Sequence, residues 1–204
     1  TSAGLSLTTS GNVTVDNITA ANSDNISGTV TIDSGNNVSF LTADSTFNAL
    51  DVQADDGIIV SRNITTDTGS FALDGNTDAA AGSDDDIQIA AGITLSSNST
   101  LTFSAAGTNI TGAGALNLDA DNGITINNDL FTSGTTDINA DSDADGTGTL
   151  VVANSATVDT QDNALTITAS DVELSGGLNS GTANITITDS AGGGIGIGNG
   201  TIAG

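Results

Sequence analysis

Residues 141 to 146 of this chain read Asp141-Ser-Asp143-Ala-Asp145-Gly146. Carboxylates at alternate positions can converge on one hard cation at ~2.3–2.6 Å, and glycine allows the sharp turn that brings them round. This is the spacing of the first half of a calcium loop. The twelfth position is Val152 and not Glu, so the loop is not an EF-hand. An echo stands upstream at Asp74-x-Asn76-x-Asp78, with Asp85 at its twelfth position between Asp84 and Asp86. Calcium is therefore expected at Asp141, Asp143 and Asp145, and at Asp74, Asn76, Asp78 and Asp85. The plainer reading of both stretches is a solvated acidic turn.

Other chemistry is thinly supplied. Asp55-Asp56 and Asp84-Asp85-Asp86 offer a general acid beside a base, as hydrolysis or elimination on a polysaccharide would need. But adjacent Asp residues in a strand point to opposite faces, and the chain has no His, Cys, Tyr or Lys. Zinc, haem, Ser-His-Asp and thiol chemistry are excluded by that composition. No catalytic residue is assigned, and a polysaccharide-active enzyme is the remote alternative. Thr29-Val-Thr31, Thr166-Ile-Thr168 and Thr186-Ile-Thr188 would suit an ice-binding array only in strict register; scattered as they are, they read as outward strand threonines. Nine Asn-x-Ser/Thr triplets begin at Asn12, Asn17, Asn25, Asn37, Asn63, Asn98, Asn109, Asn184 and Asn199. They are glycosylation acceptors where that machinery exists, although Asn-Ile-Thr is also a common strand phrase. The stretch from Gly192 to Gly198 lacks a following helix or Lys and is no phosphate loop.

The elements that must hold these loops are strands. Leu101-Thr-Phe103, Ile124-Thr-Ile126, Leu165-Thr-Ile167 and many like them alternate apolar with polar residues, the pattern of a strand with one buried face. Gly, Asn, Asp and Ser fill the gaps, as tight and left-handed turns require. Of the 25 acids against one base, Arg62, 24 are Asp and one is Glu173, for a net charge of −24. Asp favours turns where Glu favours helices, so the acidity marks corners. A chain this anionic cannot neutralise phosphates, which excludes nucleic acid and anionic membrane as partners. No apolar run reaches the ~18 residues a membrane helix needs.

The acidic phrase recurs. Asp74, Asn76 and Asp78 fall on Asp141, Asp143 and Asp145 at an offset of 67, and Leu101-Thr-Phe103 falls on Leu165-Thr-Ile167 at 64. Such self-similarity marks a stacked architecture. The expectation is one all-β domain over 1–204, a right-handed parallel β-solenoid of roughly ten rungs without helices, with an internal repeat of about 65 residues (about 64–130 and 131–198). Small branched core residues and the absence of Pro suit rungs whose N–H groups all bond to a neighbour. Neither end reads as a cap. Arg62 is expected to pair with Asp55, Asp56 or Asp67.

Several phrases carry a likeness to a known family: Ile124-Thr-Ile126-Asn-Asn-Asp-Leu130, Asn139-Ala-Asp141-Ser-Asp143-Ala-Asp145-Gly146-Thr-Gly-Thr-Leu150, Ala164-Leu-Thr-Ile-Thr-Ala-Ser-Asp-Val-Glu-Leu174, Leu178-Asn-Ser-Gly-Thr and the opening Gly11-Asn-Val-Thr-Val-Asp16-Asn-Ile-Thr-Ala20. They resemble the repeats of very large secreted bacterial exoproteins of the filamentous-haemagglutinin type. What the resemblance implies is a secreted or cell-surface β-solenoid that mediates adhesion or forms a coat or filament. Its partners would be neighbouring repeats or copies of itself, stacked end to end, and a surface glycan or protein receptor. The alternative within the same architecture is a calcium-stabilised subunit of an extracellular filament or surface layer.

Overall fold

The computed structural model describes residues 3–80, 82 and 85–198. Every strand in it pairs in parallel with the strand one rung away, on both sides except at the ends of each sheet. The first rung holds β1 (Leu5–Thr9), β2 (Val13–Val15) and a single helical turn, α1 (Ala20–Ser23). The second holds β3 (Thr29–Ser34), β4 (Val38–Phe40) and β5 (Ser45–Phe47), and the third β6 (Ala49–Ala54), β7 (Ile58–Val60) and β8 (Ile64–Thr66). The fourth is β9 (Phe71–Asp74), β10 (Ile87–Ile89) and β11 (Ile93–Ser97), and the fifth β12 (Leu101–Ser104), β13 (Ile110–Gly112) and β14 (Leu116–Ala120). The sixth is β15 (Ile124–Ile126), β16 (Leu130–Thr132) and β17 (Thr136–Asn139), and the seventh β18 (Thr149–Val152), β19 (Thr157–Asp159) and β20 (Leu165–Ala169). The eighth is β21 (Asp171–Leu174), β22 (Gly177–Asn179) and β23 (Ile185–Asp189), after which β24 (Gly196–Gly198) opens a ninth.

These strands make three faces. The first sheet runs β1-β3-β6-β9-β12-β15-β18-β21-β24, the second from β2 through β4 to β22, and the third from β5 through β8 to β23. The chain is thus an all-β parallel solenoid of about eight rungs, where ten were expected. The column Leu5, Val30, Leu50, Phe71, Leu101, Ile124, Leu150, Val172, Ile197 shows why: successive partners stand 20 to 30 residues apart. The longest corners are the two acidic stretches, between β9 and β10 and between β17 and β18. They lie at different corners of the rod. Leu101 and Leu165, equivalent in the repeat, begin β12 on the first face and β20 on the third. The offset of about 64 therefore carries the phrase to another face and does not stack it on itself.

Alternate residues fill one core that runs along the axis. Val30, Leu50, Phe71, Leu101, Ile124, Leu150 and Val172 all lie within it, with Phe40, Phe47 and Phe103 as large fillers. Burying each such side chain stabilises the fold by about 1.5–3 kcal/mol. The interior is not wholly apolar. Ser34, Ser45, Thr66, Ser97, Thr132, Thr136, Thr160 and Ser180 are also buried, against the expectation that hydroxyls face out. Several close their own corner by bonding the carbonyl three residues on: Thr66 to Gly69 (2.7 Å), Ser97 to Thr100 (3.0 Å), Ser180 to Ala183 (2.7 Å), and Thr160 to Asn163.

α1, a single turn, is the one helix among the described residues, and the expectation of an essentially helix-free chain holds. Ala20 and Ala21 are strong helix formers, and one turn suffices to replace the strand missing from the third side of the first rung. Ser23 anchors the turn by donating to the carbonyl of Thr46 in β5 (2.9 Å). The helix thereby covers β5, the terminal strand of the third sheet, so one edge is capped after all.

Candidate metal centre

The loop after β17 begins where the third face ends. Asp141 is buried, while Asp143 and Asp145 are exposed. One carboxylate oxygen from each lies within 4.8 Å of the others. Two backbone positions make this possible: Ala144 and Gly146 both have positive φ, at 56° and 88°, which folds the loop back on itself. The carboxylates are partly engaged. Asp141 Oδ2 accepts from the N–H of Gly146 (3.0 Å) and from the hydroxyl of Ser190, two rungs along. Asp141 Oδ1 is buried and has no hydrogen-bond partner. Asp143 Oδ1 accepts from the N–H of Asp145 (3.4 Å), and Asp145 Oδ1 from the N–H and hydroxyl of Thr147 (3.0 and 2.6 Å). The Asp143 carboxyl is held above its ordinary range by loss of surrounding water, with the charges of Asp145 and Asp121 and the nearby Asp141 adding to the effect and the N–H of Asp145 opposing it.

The loop also reaches its neighbours. Ser142 donates its N–H to the carbonyl of Ala120 (3.0 Å) and its hydroxyl to Asp121, and the Thr147 hydroxyl lies 3.2 Å from Asn122 Oδ1, all on the rung before. Ser170, on the rung after, donates to the carbonyl of Gly148 (2.8 Å). Beyond it, the loop after β23 closes on Asp189, whose carboxylate is held below its ordinary range by the N–H groups of Gly194 and Ala191. Ser190 and Asp121 were not singled out from sequence. Ser190 lies 49 residues from Asp141, and no local pattern links them.

The upstream echo is arranged differently. Asn76 and Asp85 are buried, but Asp74 and Asp78 use one oxygen each on local N–H groups, those of Asn76 (3.3 Å) and Ala80 (2.8 Å). Asn76 Nδ2 is tied to the carbonyls of Ala106 (2.7 Å) and Ala80 (3.3 Å), and its Oδ1 is buried without a partner. Asp85 accepts from the N–H of Gly82. Among the described residues Asp141, Asp143 and Asp145 are the only three carboxylates gathered so closely; Asp74, Asp78 and Asp85 are not drawn together. The four extra residues of this loop let its carboxylates spread, and Asp84 lies outside the described residues.

The remaining candidates take structural places. Asp55 accepts from the Thr77 hydroxyl and Asp86 from the N–H of Asn109 (3.1 Å). A shallow recess over β7, β10 and β13, lined in part by Ile59, Gln88 and Thr111, carries no titratable side chain. Thr166 and Thr168 stack on Thr186 and Thr188, but the next rung offers Asp137 and Asn139, so the threonine column ends there. The triplet asparagines sit at corners. Asn12, Asn17, Asn25, Asn98 and Asn184 are exposed, Asn37, Asn63 and Asn109 half-buried, and Asn199 lies outside the described residues. Asn63 and Asn98 spend their amide N–H on Asp44 (3.3 Å) and Asp67 (2.9 Å) of the rung before, and Asn37 spends its own on the Asp56 carbonyl of the rung after. Arg62 donates to the carbonyls of Thr42 and Ser61 (both 2.7 Å) and not to Asp55, Asp56 or Asp67 as expected, because its corner presents carbonyl oxygens within easier reach. Among the described residues no helix is long and apolar enough to cross a membrane. No family model, curated protein or solved structure matches the chain, and the part of the filamentous-haemagglutinin likeness with structural support is the parallel solenoid.

Proposed function

We propose that this chain is a non-catalytic structural segment of a long secreted or cell-surface rod, of the adhesin or fibrous exoprotein kind, whose rungs stack on further rungs. The observation that supports this is the condition of the terminal rungs. Leu5 and Leu7 of β1 are in register with the buried Val30 and Ile32, yet are themselves exposed. Ile185 of β23 and Ile197 of β24 continue the columns of Leu165 and Val172 and are exposed too. A neighbouring rung, from the same polypeptide or another copy, would bury these four side chains and pair the outer edges of β1 and β24, which have no partner strand among the described residues. The acidic outer surface suits an extracellular setting and receptors that are glycans or proteins, not nucleic acid or anionic lipid. The gathered carboxylates at 141–145 favour a second reading, in which separate copies build a calcium-stabilised filament or surface layer.

Sedimentation velocity and negative-stain electron microscopy test the stacking. Eight rungs at ~4.8 Å predict thin rods about 40 Å long that lengthen in whole units as concentration rises. The pair Leu7→Lys and Ile197→Lys should hold them single. A head-to-tail fusion of two copies should melt above the single chain, because the junction buries the four exposed residues. Single rods at every concentration, together with a fusion that melts no higher, would refute the reading.

A further inference from the structure

The 141–145 loop offers three carboxylates close enough to share one hard cation. Calcium accepts carboxylate oxygens from a flexible loop at ~2.3–2.6 Å, whereas magnesium demands near-octahedral geometry at ~2.0–2.1 Å and keeps most of its waters. The oxygens offered by Asp141, Asp143 and Asp145 lie within 4.8 Å of one another. The second observation is independent of that clustering. Asp141 is 1% exposed, and its Oδ1 is buried with no hydrogen-bond partner while its Oδ2 is fully engaged. A buried charged oxygen left unpaired is costly, and a cation is the simplest group that would satisfy it. Asp143 and Asp145 each direct Oδ1 to a local hydrogen bond, which leaves Oδ2 for an ion.

We propose that Asp141, Asp143 and Asp145 bind one calcium ion, which ties together four consecutive rungs. The loop is bonded to Ala120, Asp121 and Asn122 on the rung before, to Ser170 on the rung after and to Ser190 on the next. An ion that fixes the three carboxylates fixes all of these contacts at once. This is independent of whether the ends stack. With three carboxylates on a partly exposed loop and water completing the shell, affinity falls in the range of extracellular calcium modules, a Kd of about 0.1–1 mM.

The test is calorimetric titration of chelator-treated protein with calcium chloride and with magnesium chloride, beside thermal melts followed by circular dichroism in each salt. The comparison variant is Asp143→Asn with Asp145→Asn, both exposed and safe for folding. The charge-matched control is Asp24→Asn with Asp33→Asn, on the second rung and the corner before it. Calcium should bind the wild type and the control at one site and raise their melting temperatures, and should do neither at that site in the Asp143/Asp145 variant. Hydrogen exchange at the amides of Ser142, Gly146 and Ser170 should slow at least several-fold with calcium. The proposal is overturned if the Asp143/Asp145 variant binds calcium as the wild type does. It is equally overturned if magnesium, or sodium chloride at equal ionic strength, reproduces the effect.

Discussion

Ser96 and Ser97 are adjacent in β11 and differ only in the side of the strand they occupy. Ser97 is buried, with its Oγ 3.0 Å from Thr66 Oγ1 and within reach of the carbonyls of Gly69 (3.1 Å) and Thr100 (3.0 Å); the N–H of Ser99 donates to it at 3.2 Å. Ser96 is half-exposed on the outer surface. Alanine at 97 keeps the strand but removes these bonds. The loss is partly cushioned. Gly69 keeps the Thr66 hydroxyl at 2.7 Å, and the Thr100 carbonyl keeps the N–H of Phe71 at 2.8 Å. What remains lost is the acceptor for Ser99 and one buried hydroxyl-to-carbonyl bond, at about 1 kcal/mol each, or about 2 kcal/mol in all. Ser96→Ala should cost under ~0.5 kcal/mol, as surface changes do. Urea unfolding followed by circular dichroism should therefore move the midpoint by roughly 1 M for Ser97→Ala and hardly at all for Ser96→Ala. Equal costs for the two, or a larger cost for Ser96→Ala, would refute the assignment of inward hydroxyls as corner closures.

Phe103→Ala, in mid-rod and fully buried, should cost about 3–5 kcal/mol in the same assay, while Leu7→Ala, half-exposed at the end, should cost under ~1 kcal/mol at concentrations where the rods stay single. Asp119 is held above the ordinary carboxylate value of 3.8 by burial and by the charge of Asp137. Its folded state keeps the proton longer, so stability falls as pH rises from 3.8 through the raised value and stays reduced at neutral pH. Asp119→Asn should thus stabilise the fold at pH 7 by on the order of half a kcal/mol, read as a higher melting temperature, and the gain should vanish below pH 3.8. Asp162 behaves oppositely, its carboxylate held below 3.8 by the N–H and hydroxyl of Thr182. That stabilisation is present above 3.8 and is lost as pH falls through the lowered value, so Asp162→Asn should melt below the wild type at pH 7, and the gap should close once pH is below that value.

Alternation made the strands legible: Leu101-Thr-Phe103 and Ile124-Thr-Ile126 place their apolar members inward and stack in register. What alternation could not show was the fate of a hydroxyl at an inward position. Thr66 and Ser97 read as polar breaks in a strand, and their burial depends on a carbonyl that only the corner geometry brings within reach. Rung number depended on corner length, which two acidic loops stretched. The Asp141 loop was legible because its three carboxylates converge through local backbone alone. The Asp74 loop has a longer path to Asp85, and nothing in the spacing says how such a path closes. The contact of Asp141 with Ser190 was beyond any local pattern, since parallel stacking joins residues two rungs apart that no sequence interval marks.

The preponderance of Asp has a structural cause that spacing alone did not suggest. At corner after corner a carboxylate accepts the N–H of the next rung, where the strand ladder is interrupted: Asp16 from Ala43 (2.8 Å), Asp44 from Asn63 (3.1 Å), Asp86 from Asn109 (3.1 Å), Asp129 from Thr157 (2.7 Å), Asp162 from Thr182 (2.8 Å) and Asp171 from Gly196 (2.8 Å). One methylene spans the gap between rungs, and the bond to an ionised acceptor is stronger than a neutral one. Glu would place its carboxylate farther out and would have another rotor to fix. These six acids are thus tethers between successive rungs, distributed along the rod, and repulsion among the carboxylates is the cost of that arrangement. It follows that a net charge of −24 is not in itself an argument for a metal. Most carboxylates already have N–H partners that do the work of a cation. The loop at 141–145 is different because it gathers three carboxylates, one of which has a buried oxygen that no N–H or hydroxyl reaches. Salt should therefore stabilise the whole rod by screening, whereas the specific effect of calcium should disappear with Asp143 and Asp145 alone.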